Sequence, residues 1–405
     1  WRMLVTGRGL MQWQTAAQSD REGAGLWQYL IKMWLVVALG ATLLAFSPVI
    51  IGKSAGLMWL LSPAALAALA LPAYRSDDIT DADREYIRAA AAGSWRYLQD
   101  FSTAEDNFLP PDNFQEQPPV GTAHRTSPTN IGFAMAAAVA ACDMDIITRE
   151  DAAGYISRVA VTLEKMPRFM GHWYNWYDTR TLLPLTPAFI STVDSGNLLA
   201  GLIACIGALR EWGMDADADR LAALAAPMDF APLYDARRGL FYICYDCAND
   251  RPAGGGYDLM ASEAMLTSYI AVVKGDVPVK HWRRLSRTLT ADGDYRGMAS
   301  WTGTMFEYFM PNLLMPLETN SLLYESLCFC VWEQRRRTAG KYPWGISESC
   351  FYAFDPGMSY QYKAHGVQRL GLKRGLDCEL VIAPYASFLS LPAAPSAAVK
   401  NLRRL

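Results

Sequence analysis

Two uncharged stretches on the N-terminal side constrain the fold first. Residues 33–52 carry no charge, and residues 54–74 carry none after the single interruption at Lys53. Each run matches the roughly 20 residues a helix needs to cross a bilayer. A short turn around Gly52-Lys53-Ser54 makes the pair a helical hairpin with both ends on one side. Pro48 and Pro63 weaken both helices, which keeps a buried hairpin of a soluble protein as the alternative. Arg2, Arg8, Arg21 and Lys32 before the hairpin and Arg75 after it place both ends on the cytoplasmic side. The expected organisation is a cytosolic polar segment at 1–32, a transmembrane hairpin at 33–75 in the inner (cytoplasmic) membrane, and a domain at 76–400 facing the cytoplasm. Trp1 is an improbable start, so the chain reads as a segment of a longer protein.

The rest of the 405 residues must build a large core, because 52% of the chain is hydrophobic and only 19% is charged. Ala and Leu are abundant and two-residue alternation is scarce, which predicts an all-α domain. Helical patterns fall at 82–100, 128–144, 149–166, 195–212, 215–226, 259–274, 280–288, 304–310, 319–338 and 377–390. Between them lie long loops rich in Pro, Gly, Asn and aromatics at 105–127, 168–194, 240–258, 289–303 and 341–375. Helices thus hold a scaffold on which loops carry function. An α/α toroid, with paired helices ringing a cleft, fits this alternation, as do other large helical folds.

A net charge of −3 lacks the basic excess of a phosphate-binding surface, so nucleic acid is not an expected partner. Eight cysteines include one C-x-x-C, Cys244 to Cys247, with no second pair at zinc spacing and only four histidines in the chain. Structural thiols in a reducing cytosol are expected, with no metal and no cofactor.

Two clusters mix acids, amides and aromatics: Asp112-Asn113-Phe114-Gln115 with His124-Arg125, and His172-Trp173-Tyr174-Asn175-Trp176-Tyr177-Asp178. Any one aromatic is most simply core. Interleaved polar groups fit that reading poorly, because each would need a buried partner. Flat sugar faces stack on Trp and Tyr while amides and acids bind hydroxyls at the ring edge. Glu263 and Glu348 supply a candidate acid and base, so the residues point to a carbohydrate-active enzyme.

Longer motifs carry a family resemblance. Glu105 to Glu116, His124 to Gly132, Gly171 to Arg180 and Ser191 to Asn197 resemble the glycoamylase-like, cyclising region of bacterial cyclic β-1,2-glucan synthases. The match continues through Tyr257 to Ala264, Ser300 to Tyr308, Pro343 to Ser349, Gly371 to Gly375 and Ala383 to Ala386, spanning about 80–395 in order.

The resemblance implies an (α/α)6 toroid and a transglycosylase of glycoside hydrolase family 189. Such a region closes linear β-1,2-glucan into a ring within a synthase that also holds glycosyltransferase and phosphorylase regions. It further implies Glu263 as nucleophile and Glu348 as acid/base of a retaining double displacement, although the sequence itself does not order the two. Each glutamate could instead be a helix cap or pair. Asp112, Asn113, Gln115, His124, Arg125, Trp173, Tyr174, Asn175, Trp176, Tyr177 and Asp178 are expected in substrate subsites. Asp194 and Glu307 are further substrate-binding candidates, Trp301, Trp344, Tyr360 and Tyr362 weaker ones, and Asp194 could equally be a plain cap. An endo-β-1,2-glucanase and a non-catalytic glucan-holding module are the rival readings.

Overall fold

The structure, a computed structural model, describes residues 26–69, 79–319 and 321–405. Arg2, Arg8 and Arg21, and Arg75 within the 70–78 stretch, lie outside the described residues. The chain divides into two compact units, Trp1–Asp77 and Asp78–Leu405.

The first unit holds α1 (Leu26–Lys32), α2 (Trp34–Phe46) and α3 (Ile50–Leu69). The break between α2 and α3 falls at Ser47-Pro48-Val49, not at the expected Gly52-Lys53-Ser54, which lies inside α3. Its cause is local: Pro48 forces the preceding Ser47 into extended backbone (φ −71°, ψ 128°), where a helix cannot continue. Pro63 is accommodated within α3. The two helices meet backbone to backbone, since a Cβ placed on Gly56 would sit 2.7 Å from the Gly40 carbonyl oxygen. Only α3, at 20 residues, reaches membrane-spanning length here; α2 has 13. Phe46, Ile50, Ile51 and Leu69 are each more than four-fifths exposed. A comparably apolar helix in the second unit, Thr192–Glu211, is mostly buried and serves as core.

The second unit is helix-rich. In chain order it contains α4 (Asp81–Phe101), α5 (Pro128–Asp143), α6 (Arg149–Lys165), α7 (Thr192–Glu211), α8 (Asp215–Ala225), α9 (Met265–Lys274) and α10 (Lys280–Arg284). These are followed by α11 (Met305–Phe309), α12 (Leu322–Thr338), α13 (Pro384–Leu389) and α14 (Pro395–Leu402). Side-chain caps define the starts. Thr80 with Asp83 and Thr148 with Asp151 form reciprocal capping boxes, and Ser127, Ser191, Thr304 and Ser321 each cap the amide three residues on. Capped by Ser191, α7 starts at Thr192, three residues before the expected 195. Residues 259–264 and 377–383 are not helical, and α14, opened by Pro395, was not foreseen.

The domain is not all-α. Short antiparallel hairpins occupy the long loops: 240–246 with 251–257, 289–292 with 295–298, and 348–354 with 360–364. The first of these extends through 189–191 and 234–235 into a four-stranded sheet. Runs such as Leu240-Phe-Tyr-Ile-Cys-Tyr are rich in strand formers, but their alternation is hidden by burial differing from strand to strand.

Core helices α5 and α7 cross at two glycines. A Cβ on Gly132 would lie 2.7 Å from the Leu198 Cα, and one on Gly201 would lie 2.3 Å from the Gly132 carbonyl oxygen. Ile131, Met135, Leu198 and Leu202, all fully buried, fill the crossing around them. We therefore expect Gly132→Val to destabilise the protein by about 1–3 kcal/mol through overpacking. Gly93 in α4 meets only Arg96 at 3.8 Å, so Gly93→Ala should stabilise by about 0.5–1 kcal/mol. Urea midpoints at unchanged slope measure both, and equal shifts for the two would overturn the packing argument.

Candidate active site

Four carboxyl groups from four separate stretches of chain converge. Glu263 follows the strand 251–257 in the loop that enters α9, and Glu348 is the first residue of the strand 348–354. Asp194 sits in the first turn of α7 and Glu307 in the first turn of α11, their amides capped by Ser191 and Thr304. Burial pushes the Glu263 carboxyl up to about 8, and the negative charges of Glu348, Asp194 and Glu307 add to the rise. Burial also raises Glu348, but there the Tyr362 hydroxyl donates to Oε2 at 2.7 Å and works in the opposite direction, while Glu307 raises it further. The two glutamates thus share a site but differ in one respect: Glu348 has a donor that favours its anion.

Each carboxylate is held by its own scaffold. Glu307 Oε2 accepts from the backbone amides of Thr302 (2.8 Å) and Gly303 (3.1 Å). Tyr385 donates to the Glu348 carbonyl (2.8 Å) and shares a 2.8 Å bond with the Ser347 hydroxyl. Two residues upstream, Gln334 on α12 clasps both backbone groups of Ile346, at 2.7 and 2.8 Å. The Trp301 indole donates to Asp258 at 3.0 Å, joining the loop before Glu307 to the loop before Glu263. Tyr257 adjoins the acids: burial, then the charges of Glu263 and Asp194, holds its phenol well above the ordinary value.

The sequence-derived candidates divide sharply. With the Asn175 amide oriented to satisfy both neighbours, it donates to Asp194 (2.7 Å) and accepts from the Trp176 indole (2.9 Å). Arg125 lies over the Trp176 ring (5.5 Å to its centre) and grips Asp112 through Nε and Nη2 at 3.1 and 2.9 Å. Asp112 also accepts from Asn113 and Asn130. Its charge and that of Arg125 are felt at Cys350, two residues from Glu348. Exposed Trp301 and half-buried Trp176 therefore border the acids.

Other candidates serve the scaffold. Trp173 and Tyr177 are fully buried, with Arg168 stacked on Trp173 (3.6 Å) and the Tyr177 hydroxyl bonded to the Pro167 carbonyl. Half-buried Tyr174 meets Tyr177 edge-on. Asp178 caps the turn at Arg180 and Thr181. Trp344 is core, its backbone clasped by Asn401. His124 uses both ring nitrogens internally, on buried Asp106 (2.8 Å) and Arg180 (2.7 Å). Gln115 bonds backbone at the tip of the 348–364 hairpin: its Nε2 donates to Met358 O (2.9 Å) and its Oε1 accepts from Tyr360 N (2.9 Å). Tyr257 and Tyr385 were missed as site residues, although both lie inside motifs that carry the family resemblance.

A neutral carboxylic acid beside a hydrogen-bonded carboxylate is the pairing that general acid/base and nucleophilic sugar chemistry needs. The fold is a helix-rich scaffold of the kind found in solved endo-β-1,2-glucanases. The structure matches the endo-beta-1,2-glucanase of Chitinophaga pinensis, in complex with sophorotriose and glucose, with a TM-score of 0.62 at 15% identity over 80% of this chain and 82% of that one. It matches the endo-beta-1,2-glucanase of Talaromyces funiculosus, in complex with sophorose, with a TM-score of 0.63 at 14% identity over 79% and 75%. Along its whole length the chain is 32% identical, over 543 aligned residues, to the cyclic beta-(1,2)-glucan synthase NdvB of Rhizobium meliloti (strain 1021), and it is related to a segment of that synthase. It spans 19% of the length of that relative. No family model matches the chain.

The raised Glu263 sets a pH dependence. A carboxyl at about 8 when folded, against 4.5 ordinarily, contributes stability that is full below about 4.5 and is lost as pH rises through about 8. Glu263→Gln removes that loss. By linkage the variant should gain on the parent by about 4 kcal/mol between about pH 5 and pH 9. Thermal melting at both pH values measures it, and a gap that stays constant would mean Glu263 ionises normally.

Proposed function

We propose that this chain acts on β-1,2-glucan as a glycoside hydrolase-type transglycosylase that closes linear glucan into rings, as a segment of a cyclic β-1,2-glucan synthase. The observation that carries the chemistry is the unequal environment of Glu263 and Glu348. At neutral pH Glu263, pushed up to about 8, holds its proton and suits the acid/base. Glu348, with the Tyr362 hydrogen bond, suits the nucleophile. These roles are the reverse of those the family resemblance implies.

In the retaining scheme the Glu348 carboxylate attacks the anomeric carbon while Glu263 gives its proton to the departing glycosidic oxygen. The 2-hydroxyl at the chain's own non-reducing end then attacks the glycosyl-enzyme. Glu263 takes the hydroxyl proton and the Glu348 carboxylate is released. One β-1,2 bond breaks and one forms, so no nucleotide sugar is consumed. Trp176, Trp301, Asn175, Asp194 and Glu307 would line the bound glucan, within an (α/α)6 toroid. Relationship along the full chain to a cyclic glucan synthase favours ring closure over hydrolysis. Likeness in fold to endo-β-1,2-glucanases supports the rival reading, in which water is the acceptor. The exposed apolar surface of α2 and α3 supports a membrane hairpin. The basic residues flanking it favour a cytoplasmic domain in the inner membrane. Glycosyltransferase and phosphorylase regions of the parent synthase would be its partners.

The test incubates the full chain, in detergent, with linear β-1,2-glucan and resolves products by mass. Rings, lighter by one water than linear chains of equal length, are expected, and Glu263→Gln or Glu348→Gln should each lower the rate by about 10³-fold or more. Shorter linear products alone would establish the hydrolase instead. Tyr362→Phe removes the donor that favours the Glu348 anion. The acidic limb of the rate profile should move up by about half to one pH unit, and an unmoved limb would place the nucleophile elsewhere.

A further inference from the structure

The hairpin that begins with Glu348 does more than present one carboxylate. Its strands pair Cys350 with Tyr362 and Phe354 with Tyr360, with an irregularity between Phe351 and Phe354. Side chains alternate across it. Phe351 turns inward, its ring edge against buried His365. On the other face Tyr352 meets Phe354 at 4.8 Å and Tyr360 at 6.2 Å, and Phe354 meets Tyr360 at 5.0 Å. Tyr362 stands on this same face, because its hydroxyl reaches Glu348. Tyr352 is 83% exposed and Tyr362 64% exposed, the first being among the most exposed large side chains described.

Aromatic surface displayed in this way on a stiff element marks a binding face. The stiffness has visible causes. Gln115 holds Met358 and Tyr360 at the tip, and Asp355 Oδ1 accepts from the amides of Gly357 (2.8 Å) and Ser359 (2.9 Å) within the turn. Lys363 points away from the aromatic face, paired with Glu379. Between Glu348 and the turn, the hairpin's own side chains on this face are Cys350 and the four aromatics, none charged. The face is continuous with the carboxylate, and at about 3.3 Å per residue Tyr352 stands about 13 Å beyond Glu348, a reach of a few sugar rings. An uncharged polyol with apolar ring faces is the occupant such a surface suits, and rigid rings lose little freedom on binding it.

We propose that the open face of this hairpin, formed by Tyr352, Phe354, Tyr360 and Tyr362, is a stacking track for a run of β-1,2-linked glucosyl units beyond the bond held at Glu348. The track rests on the reading of the chain as a β-1,2-glucan enzyme and adds to it a basis for preferring long chains. Tyr352, the most exposed of the four and bonded to none of the acids, is its diagnostic residue.

The test compares the parent chain with Tyr352→Ala and Tyr352→Phe, in detergent, on long linear β-1,2-glucan and on the shortest β-1,2-linked oligomer that is turned over. Retardation in gels containing long glucan is run in parallel, since it needs no turnover. Tyr352→Ala should raise KM for long glucan about tenfold, equivalent to about 1.4 kcal/mol, with kcat and the short-oligomer KM unchanged. Tyr352→Phe should behave as the parent, and both variants should melt with it. An unchanged long-glucan KM in Tyr352→Ala, or an equal rise for long and short substrates, would overturn the track while leaving the enzyme reading in place. Gel retardation lost in Tyr352→Ala from a parent that binds glucan but never turns it over would support the track and remove the enzyme reading. A parent that neither turns over nor is retarded by glucan would remove both.

Discussion

Like charges repel, and the second unit is organised around a place where four of them are brought together. Glu263, Glu348, Asp194 and Glu307 come from four segments, and Glu263 feels the charge of the other three. Such a group survives in a folded protein only if protons or donors relieve it. Relief is local and different at each member. Glu307 takes two backbone amides, Glu348 takes a tyrosine hydroxyl, Asp194 takes the Asn175 amide, and Glu263, pushed up by burial, keeps a proton. In the proposed mechanism, the division of labour between acid and carboxylate follows from which member lacks a donor.

The scaffold makes this possible by treating the ends of helices and strands as fixtures. Capped helix starts deliver Asp194 and Glu307, and the strand that starts at Glu348 is held at its base by Gln334 and Tyr385. Close crossings such as Gly132 against α7 keep the helices that carry these ends from sliding. Of the four acids only Glu263 sits in a loop; the other three stand at the ends of helices or a strand.

Much of this was legible in the residues, and the failures have physical causes. Helix positions followed from composition and caps, because those signals are local. Glu263 and Glu348 stood out within long mixed motifs. Trp173 and Tyr177 were expected on a sugar surface, yet they are fully buried. In so short a strand pair no repeating pattern tells the core side from the open side. The same limit hid the hairpins, whose identity lies in cross-strand partners such as Cys350 with Tyr362. Gln115 was expected to touch substrate, whereas its bonds go to backbone. No spacing rule could reveal that, since its partners lie more than 240 positions away in the chain.

That long clasp has a consequence for how the protein comes into being. A chain emerging from the ribosome displays Gln115 and Glu263 while the hairpin with Glu348 is still unmade. Contacts between distant residues form late, because closing a long loop sacrifices entropy before any bond is gained. The strand that begins at Glu348 can take its final set only after almost the whole domain has been synthesised and has come together. Unfinished or truncated chains would therefore carry a folded helical shell and an unarmed centre.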